Sequence, residues 1–449
     1  MENKFIFQTS CISLVPVLGT SVSVIRVDQS NHKRVIALYV TALTLFSNVS
    51  QATPTGGEVV SGTGSITQSA ATTTVQQATQ NLSVNWKSFN VAPQEVVNFV
   101  QPSTSSIAVN RILDTSGSQI LGSINANGQV YLINPNGILF GQGAQVNVRG
   151  LVASALDFND DQLSDNAKGF FGNGTGSIIN QGNLTAANGG YVALLGSSVT
   201  NQGLIKSPQG SVMLGAGNNV TLSFENNNLL KMQVNQSLLD TLAENGGLIQ
   251  TAGGQVIMNA GAKNTLQASV VNNTGVIEAH TLDSQTGKII LLSGMELGTT
   301  DVSGTLDASA PDGGNGGFIE TSAAHVKIID GVKVSTVSEE GNNGTWLIDP
   351  ADFNIGSAAD GAVSNISGAT LSSNLGSTDV VILSSGGTAD GSGDINVNEA
   401  VSWSANKLTL TAAKDVNINA VMTANGSSTL ALNTATTNGG DAFVTGGHV

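Results

Sequence analysis

The segment GSIINQGNLTAANGGYVALLGSSVTNQGLIKSPQGSVML, residues 176–214, contains two overlapping repeats that decide the fold. An Asn-Gln-Gly unit begins at Asn180 and again at Asn201. Each unit is followed by an apolar run that begins with glycine, first GYVALL at residues 190–195 and then GSVML at residues 210–214. A repeat of about 20 residues, built from short apolar runs and turn residues, is typical of a β-solenoid.

The same pattern continues beyond residue 214. Apolar runs that begin with glycine return as GQVIM at residues 254–258 and GKIILL at 287–292, with shorter ones at 247–249, 275–277 and 304–306. A helical repeat would show a period of about 3.6 residues and strong helix formers, which are scarce here. The sequence therefore predicts an all-β solenoid with aliphatic side chains inside and glycine and asparagine at the corners.

Composition and charge narrow the classes of function. The chain has 449 residues, of which 54 are glycine; 10% are charged, 4% are aromatic and 40% are hydrophobic. These fractions differ from those of an α/β enzyme domain and from those of a disordered acidic tail. Nucleic acid and anionic membranes are poor partners for a chain with a net charge of −15, because like charges repel.

The first 52 residues have the layout of a secretory signal with a long preceding extension. A basic stretch, NHKR at residues 31–34, leads into an apolar run at 35–46, and Ser50 and Ala52 supply small residues before the expected cleavage after Ala52. The alternative is a buried helix. The single cysteine, Cys11, would be removed with the signal, so packing and hydrogen bonds alone would hold the secreted chain together.

Three stretches depart from the repeat. Residues 236–246 (QSLLDTLAENG) predict a short helix outside the solenoid. Residues 311–317 (PDGGNGG) predict a loop, with a linker between domains as the alternative. Residues 446–449 (GGHV) form no evident cap. Because the end strands of a solenoid need cover, we expect either a partner there or a longer protein of which this sequence is the front.

A tight turn is predicted at Asn134, Pro135, Asn136 and Gly137, between two apolar runs. Proline fixes the backbone angle needed at the second position of a β-turn. Asparagine suits the first position and tolerates the third, and glycine suits the last. On spacing alone, this tetrapeptide is a corner between two strands.

Few residues suggest chemistry. Histidines after the signal occur far apart in the sequence and are expected at the surface or in stacks: His280, His325 and His448. One acidic cluster lacks the EF-hand order of ligands and is expected to be a solvated loop: Asp157, Asp160, Asp161 and Asp165. We expect no metal and no cofactor. The competing class is a β-helix enzyme that degrades polysaccharide, which would need a cluster of carboxylates on one face.

A string of motifs runs through the first third of the chain. It comprises NWKSFNV at 85–91, VNFVQP at 97–102, NRIL at 110–113, GSINANG at 122–128, NPNGILFG at 134–141 and AQVNVRGLVAS at 144–154. This string resembles the amino-terminal secretion domain of filamentous-haemagglutinin-type exoproteins of two-partner secretion, in the style of the high-molecular-weight adhesins. The resemblance covers about residues 53–300, and GTWLIDPADF at 344–353 resembles sequence downstream of that domain.

The resemblance implies a right-handed parallel β-helix with an N-terminal capping region and small elements outside the solenoid. It implies passage through the general secretory translocon and export by a cognate outer-membrane β-barrel transporter with periplasmic recognition domains. In that family the Asn-Pro-x-Gly motif is needed for secretion, so Asn134, Pro135, Asn136 and Gly137 form the expected secretion motif. The second family motif, Asn-Pro-Asn-Leu, and the cysteine pair of some adhesins are missing.

The sequence thus predicts three regions: an extended signal peptide at 1–52, a secretion domain at 53–300 and a continuing solenoid at 301–449. The predicted function is that of a non-enzymatic exoprotein, secreted or exposed at the bacterial surface, that adheres to a host-cell glycan or protein receptor. A cytolysin, a haem-acquisition protein or a contact-dependent toxin would share this front end. Nucleic acid is not an expected partner.

Overall fold

Short strands wind into successive coils of a parallel β-helix with three faces. The computed structural model describes residues 53–173, 175–226, 228–235, 240–261, 269–356, 365–384, 391–434 and 442–444. A strand pairs in parallel with the equivalent strands of neighbouring coils, so that Tyr191 lies beside Ser211 and Ser211 beside Gln255. The pairing joins the runs that the sequence repeats identified, and the predicted all-β parallel β-helix is confirmed.

Two faces, A and B, belong to one 23-stranded sheet. Two long strands, Gln145–Ser154 and Asn183–Gly196, turn the corner and contribute their first part to face A and their second part to face B. The other strands of face A are Thr72–Gln77, Val96–Val100, Ser123–Ala126, Leu204–Lys206, Leu248–Gln250, Val276–Glu278, Thr305–Asp307 and Lys333–Ser335. The other strands of face B are Asn81–Trp86, Ile107–Ile112, Gln129–Ile133, Ser211–Ala216, Gln255–Ala260, Lys288–Leu292, Phe318–Ser322, Thr345–Asp349, Asp379–Ser384, Lys407–Ala412 and Thr429–Thr434.

Face C is a 13-stranded sheet. Its strands are Ser118–Ile120, Ile138–Phe140, Ser177–Asn180, Ser198–Asn201, Thr241–Asn245, Ser269–Asn273, Thr299–Val302, His325–Ile328, Phe353–Ile355, Asn365–Ile366, Ile395–Val397, Val416–Ile418 and Ala442–Val444. An α-helix, Gly368–Asn374, contacts Lys333–Ser335 of face A on one side and Val401–Trp403 on the other. Face A then resumes with Val401–Trp403 paired to Met422–Ala424.

Two antiparallel strands cover the first edge of the helix. Glu58–Ser61 pairs with Asn81–Trp86, and Gly64–Gln68 pairs with Thr72–Gln77. A parallel strand at an uncovered edge would offer its backbone groups to other chains. The predicted N-terminal capping region is therefore this pair of strands.

A second small sheet lies outside the coils. Its four antiparallel strands are Asp157–Phe158, Ala167–Phe171, Asn219–Glu225 and Asn228–Val234, with a 3-10 helix at Asp160–Ser164. It is called the outer sheet below. The sequence predicts small elements outside the solenoid but places one of them at residues 236–246 as a helix, whereas the structure forms this sheet from the four strands named above.

Strand alternation fills the interior with stacked aliphatic side chains. On face A, Leu184 pairs with Ile205 and Ile205 with Ile249, and all three side chains are fully buried. Full burial of such a side chain is worth about 1.5–3 kcal/mol. The repeat therefore stabilises the fold because each coil completes the core of the one before it.

The corners depend on asparagine and glycine. Asn180 donates through Nδ2 to Asn201 Oδ1 at 2.8 Å, Asn201 donates to Asn245 at 2.8 Å, and Asn245 donates to Asn273 at 2.8 Å. All four are fully buried. At the corner between faces A and B, a Cβ on Gly210 would lie 2.1 Å from the carbonyl oxygen of the glycine one coil earlier. The Asn-Gln-Gly units and the glycine that starts each run are thus requirements of close stacking.

The predicted helix at 236–246 is wrong where the structure describes it. Residues 240–246 are described, and Thr241–Asn245 is a strand of face C whose Thr241, Ala243 and Asn245 point inward. Stacking between Ser198–Asn201 and Ser269–Asn273 outweighs the helical pattern. Ser237 and its two leucine neighbours lie outside the described residues.

Two further predictions concern loops and boundaries. Residues 311–317 form a loop at a corner, as expected. The predicted boundary at residue 300 falls within Thr299–Val302, where stacking continues on both sides as expected for a continuing solenoid, and the division into two regions stays a prediction. None of the helices that the structure describes is long and apolar enough to cross a membrane.

Candidate functional site

The predicted secretion motif forms a tight turn at the end of a face B strand. The backbone N–H of Gly137 donates to the carbonyl oxygen of Asn134 at 2.9 Å, which closes the turn. The side-chain oxygen of Asn134 accepts from the backbone N–H of Asn136 at 3.0 Å. Gly137 has a φ of +96°, which favours glycine. The turn expected from the sequence is therefore present, and its role in secretion stays a prediction.

Asn134 also joins this turn to the preceding coil. Its Nδ2 donates to the carbonyl oxygen of Ser116 at 3.1 Å and to Ser118 Oγ at 3.0 Å, and the residue is fully buried. Asn136 is exposed but its Nδ2 donates to the carbonyl oxygen of Asp114 at 2.8 Å. The side chain of Pro135 is exposed. Within the motif, Asn134 therefore holds the coil together, whereas Pro135 faces solvent.

The next coil packs directly against the same turn. A Cβ on Gly137 would lie 2.6 Å from the carbonyl oxygen of Ser177, and a Cβ on Gly176 would lie 2.5 Å from that of Pro135. Any side chain at either glycine would push the coils apart. The turn is therefore a fixed spacer between the coil before it and the coil after it.

Beside this turn, the outward side of face B is apolar and covered by the outer sheet. A second buried cluster joins face B residues such as Tyr131, Val152 and Tyr191 to Phe158 and Phe170 of the outer sheet. Phe158 and Phe170 stack with ring centroids 5.0 Å apart. The first coils therefore have two cores, one inside the helix and one between face B and the outer sheet.

Two buried tyrosines meet within this second core. Tyr131 Oη and Tyr191 Oη lie 3.1 Å apart, and Tyr191 also donates to Gln129 Oε1. Burial raises the pKa of both tyrosines, so both stay neutral and can act as hydrogen-bond donors. A Cβ on Gly150 would lie 2.7 Å from the ring of Tyr191, so the glycine leaves room for that ring.

Arg111 ties the outer sheet to face B. It binds both carboxylate oxygens of Asp160, at 2.8 and 3.0 Å, approaches Asp157 at 3.3 Å, and donates to the carbonyl oxygen of Phe158. Burial alone would lower the pKa of Arg111, but hydrogen bonds and charge from Asp160 and Asp157 outweigh it and raise the pKa. The acidic cluster was expected to be a solvated loop, but Arg111 anchors two of its members, Asp157 and Asp160. Sequence reasoning missed this pairing, although Arg111 is one of only two arginines beyond residue 52 and that scarcity could have indicated it.

The remaining sequence predictions have these outcomes. His280 Nε2 lies 3.2 Å from Asp307 Oδ2 on the next coil, and His325 begins a face C strand. His448 and Ala52 lie outside the described residues, so signal cleavage stays a prediction. No group of three or more His, Cys, Asp or Glu in the described ranges is placed to hold a metal ion.

Comparisons with known proteins point to one family. A family model described as the TPS secretion domain, where TPS denotes two-partner secretion, matches residues 50–308. A Heme/hemopexin-binding protein of Haemophilus influenzae strain Rd is 32% identical over 250 residues, which cover 53% of this chain and 27% of that protein. A second Heme/hemopexin-binding protein from Haemophilus influenzae is 31% identical over 265 residues, covering 53% of this chain and 28% of the relative.

A solved structure supports the fold. The crystal structure of the HMW1 secretion domain from Haemophilus influenzae is similar with a TM-score of 0.61 and 23% sequence identity, and the match covers 88% of this chain and 99% of that one. At this identity the similarity concerns the fold alone. The matched region spans only about a quarter of the length of the two curated relatives.

Proposed function

Because the chain belongs to the TPS secretion domain family, we propose that its first coils are the export unit of a two-partner secretion exoprotein. The family match over residues 50–308 carries this proposal. A cognate outer-membrane transporter recognises the export unit in the periplasm, and the chain folds as a β-helix outside. The antiparallel cap supports folding that begins at the N-terminal end. It covers the edge of the first coil before later coils are added.

We propose that the secretion motif is Asn134, Pro135, Asn136 and Gly137. The support is geometric: Asn134 fixes the turn to the coil before it, and Gly137 admits the coil after it. A β-helix folds by stacking coils in order, and non-local parallel pairing is slow. We expect that a defective turn at this position makes the first coils a poor substrate for the transporter and leaves the chain in the periplasm.

The test is export with and without a cognate transporter. Cells would express residues 1–449, and the culture medium would be assayed for the mature chain. We expect the chain in the medium only when the transporter is present, with an N-terminus at Thr53 after cleavage behind Ala52. Release at equal levels without the transporter would overturn the two-partner route and bring the polysaccharide-enzyme class forward.

For the end use, we propose adhesion at a host-cell surface by the exoprotein that this unit exports. Haem acquisition is the second candidate, because both curated relatives are named Heme/hemopexin-binding protein. Binding of the purified exoprotein to host cells and to haem–hemopexin would separate the two. Retention on cells alone favours adhesion, and retention on haem–hemopexin alone favours acquisition.

A further inference from the structure

Asn-Gly dipeptides are the most labile asparagine sites in proteins, because the backbone nitrogen of the glycine can attack the asparagine side chain without hindrance from a Cβ. This chain has several of them at its corners. The reaction needs a backbone nitrogen that can approach the side-chain carbon and lose its proton. A glycine N–H that is held in a hydrogen bond is hindered in both respects.

In six of the seven Asn-Gly dipeptides whose two residues are both described, the glycine N–H donates a hydrogen bond. The bonds run from Gly128 to Gln101 Oε1 (2.9 Å), and to backbone oxygens from Gly137 to Asn134 (2.9 Å), Gly189 to Pro208 (2.8 Å), Gly246 to Asn201 (2.8 Å), Gly316 to Asn342 (2.9 Å) and Gly344 to Thr336 (2.9 Å). The corner stacking that builds the helix therefore protects these sites.

The seventh dipeptide, Asn425-Gly426, differs. Both residues are exposed, and Gly426 has a φ of +61°. The turn is held by other groups: Asn425 donates through its backbone to Trp403, and Ser428 donates to the carbonyl oxygen of Asn425 at 3.1 Å. Among the residues that the structure describes, the N–H of Gly426 has no hydrogen-bond partner. Among the seven described Asn-Gly dipeptides, only Gly426 has a backbone nitrogen that no hydrogen bond holds.

We propose that Asn425 is a site of spontaneous covalent modification in the folded protein. The Gly426 nitrogen forms a bond to Asn425 Cγ and gives up its proton, and the bond from Cγ to Nδ2 breaks to release ammonia. Water then opens the resulting succinimide at either carbonyl, giving aspartate or isoaspartate. Each product gains a negative charge, and isoaspartate adds one carbon to the main chain.

The site lies where such a change would affect the stacking of coils. Asn425 sits at the corner between Met422–Ala424 of face A and Thr429–Thr434 of face B. An extra main-chain carbon would shift one strand relative to the other, and in-register pairing tolerates little shift. By contrast Asn136, in the secretion motif, is protected by the bond from Gly137 to Asn134. Modification would therefore accumulate with age at a distant corner and spare the motif.

Peptide mapping by mass spectrometry tests this on the full secreted chain. The folded chain would be incubated at neutral pH, and aspartate plus isoaspartate would be quantified at each Asn-Gly site. We expect Asn425 to convert roughly tenfold faster than Asn136 or Asn343, since these must first break a hydrogen bond. The same incubation in denaturant should remove the difference. Equal rates at the three sites in the folded chain would overturn the proposal.

A variant supplies the second readout. Asn425→Ser removes the side-chain amide from an exposed corner and should leave the fold intact. Ammonia release from the folded variant should be lower than that from the unchanged chain by the amount of aspartate plus isoaspartate that forms at residue 425. Unchanged ammonia release from this variant would also overturn the proposal.

Discussion

Asn134 bonds to its own turn and to the coil before it, whereas the side chain of Pro135 faces solvent. Asn134→Ala would leave the carbonyl oxygen of Ser116 and the N–H of Asn136 without this partner. We expect the free energy of unfolding to fall by about 1–3 kcal/mol, measured by denaturant unfolding of the secreted chain. Pro135→Ala is the matched control and should change it by less than about 1 kcal/mol. Wild-type stability of Asn134→Ala would contradict this account of the turn.

Arg111 is the residue that fixes the outer sheet, because it contacts Asp157, Phe158 and Asp160 together. Arg111→Ala should loosen that sheet while the coils stay intact. Hydrogen exchange would show faster exchange at residues 157–171 and unchanged exchange at later face B strands such as Lys288–Leu292. Arg111→Lys keeps the charge but loses the two-pronged contact, so it should give an intermediate result. Equal exchange in all three proteins would show that the apolar contacts alone hold the sheet.

At the scale of elements, the asparagine column, which is the stack of Asn180, Asn201, Asn245 and Asn273, can be compared with the residues beside it. Asn201 is buried and bonds to Asn180 and Asn245, while Gln202 is exposed and accepts only from Gln181 at 3.1 Å. Asn201→Ala should cost about 1–3 kcal/mol of unfolding free energy, because it leaves a buried amide unpaired. Gln202→Ala should cost under about 1 kcal/mol. Similar losses would mean that burial of the column contributes nothing.

His280 and Asp307 join two adjacent coils and give their stacking a pH dependence. The hydrogen bond to Asp307 raises the pKa of His280 above its ordinary 6.5, against the opposing effect of burial. Burial favours neutral Asp307, but hydrogen bonds from His280 and Ser309 outweigh it and lower its pKa below 3.8. The stabilisation from His280 is therefore complete below pH 6.5 and is lost as pH rises through the raised pKa of His280. The stabilisation from Asp307 is complete above pH 3.8 and is lost as pH falls through the lowered pKa of Asp307.

His280→Gln should consequently flatten the decline of unfolding free energy above pH 6.5, measured from denaturant midpoints at a series of pH values. Asp307→Asn should flatten the same region, because it removes the partner that raises the pKa of His280. A decline that persists in both variants would assign the pH dependence to other groups.

The repeating elements could be predicted from the sequence because parallel stacking places like residues at like positions. Asn180 and Asn201 appeared as a repeat and proved to be hydrogen-bonded neighbours. The outer sheet could not be predicted. Its strand Ala167–Phe171 pairs with Asn219–Glu225, about fifty residues away, and this pairing does not repeat along the chain. The helix Gly368–Asn374 was missed because threonine, serine and glycine are weak helix formers and tertiary contacts decide its conformation.

The secretion motif was predicted as a turn from residue types alone, and the geometry agrees. Its contacts to Ser116 and Ser177 could not be predicted, because they depend on which coils lie above and below. The link from Arg111 to the acidic cluster was missed for the same reason. Local chemistry is visible in a sequence, whereas contacts between coils appear only once the register is known.

At the scale of the whole molecule, the chain combines a family-matched region at 50–308 with stacking that continues to residue 444. The cap, the first coils and the outer sheet all lie within that region. Low charge and the absence of cysteine beyond residue 52 suit a secreted exoprotein, which meets oxidising surroundings outside the cytoplasm. We propose that this front part directs export and that the turn at Asn134 is part of what the transporter recognises.

The most direct test compares two buried asparagines in cells that carry the cognate transporter. The measurement is the ratio of mature chain in the medium to chain in the periplasm, for the wild type, Asn134→Ala and Asn201→Ala. Both variants remove a buried amide and its hydrogen bonds, but only one lies in the motif. We expect a large fall in the ratio for Asn134→Ala and a ratio near wild type for Asn201→Ala. Equal ratios for the two variants would contradict it, since export would then follow stability of the helix and not the motif.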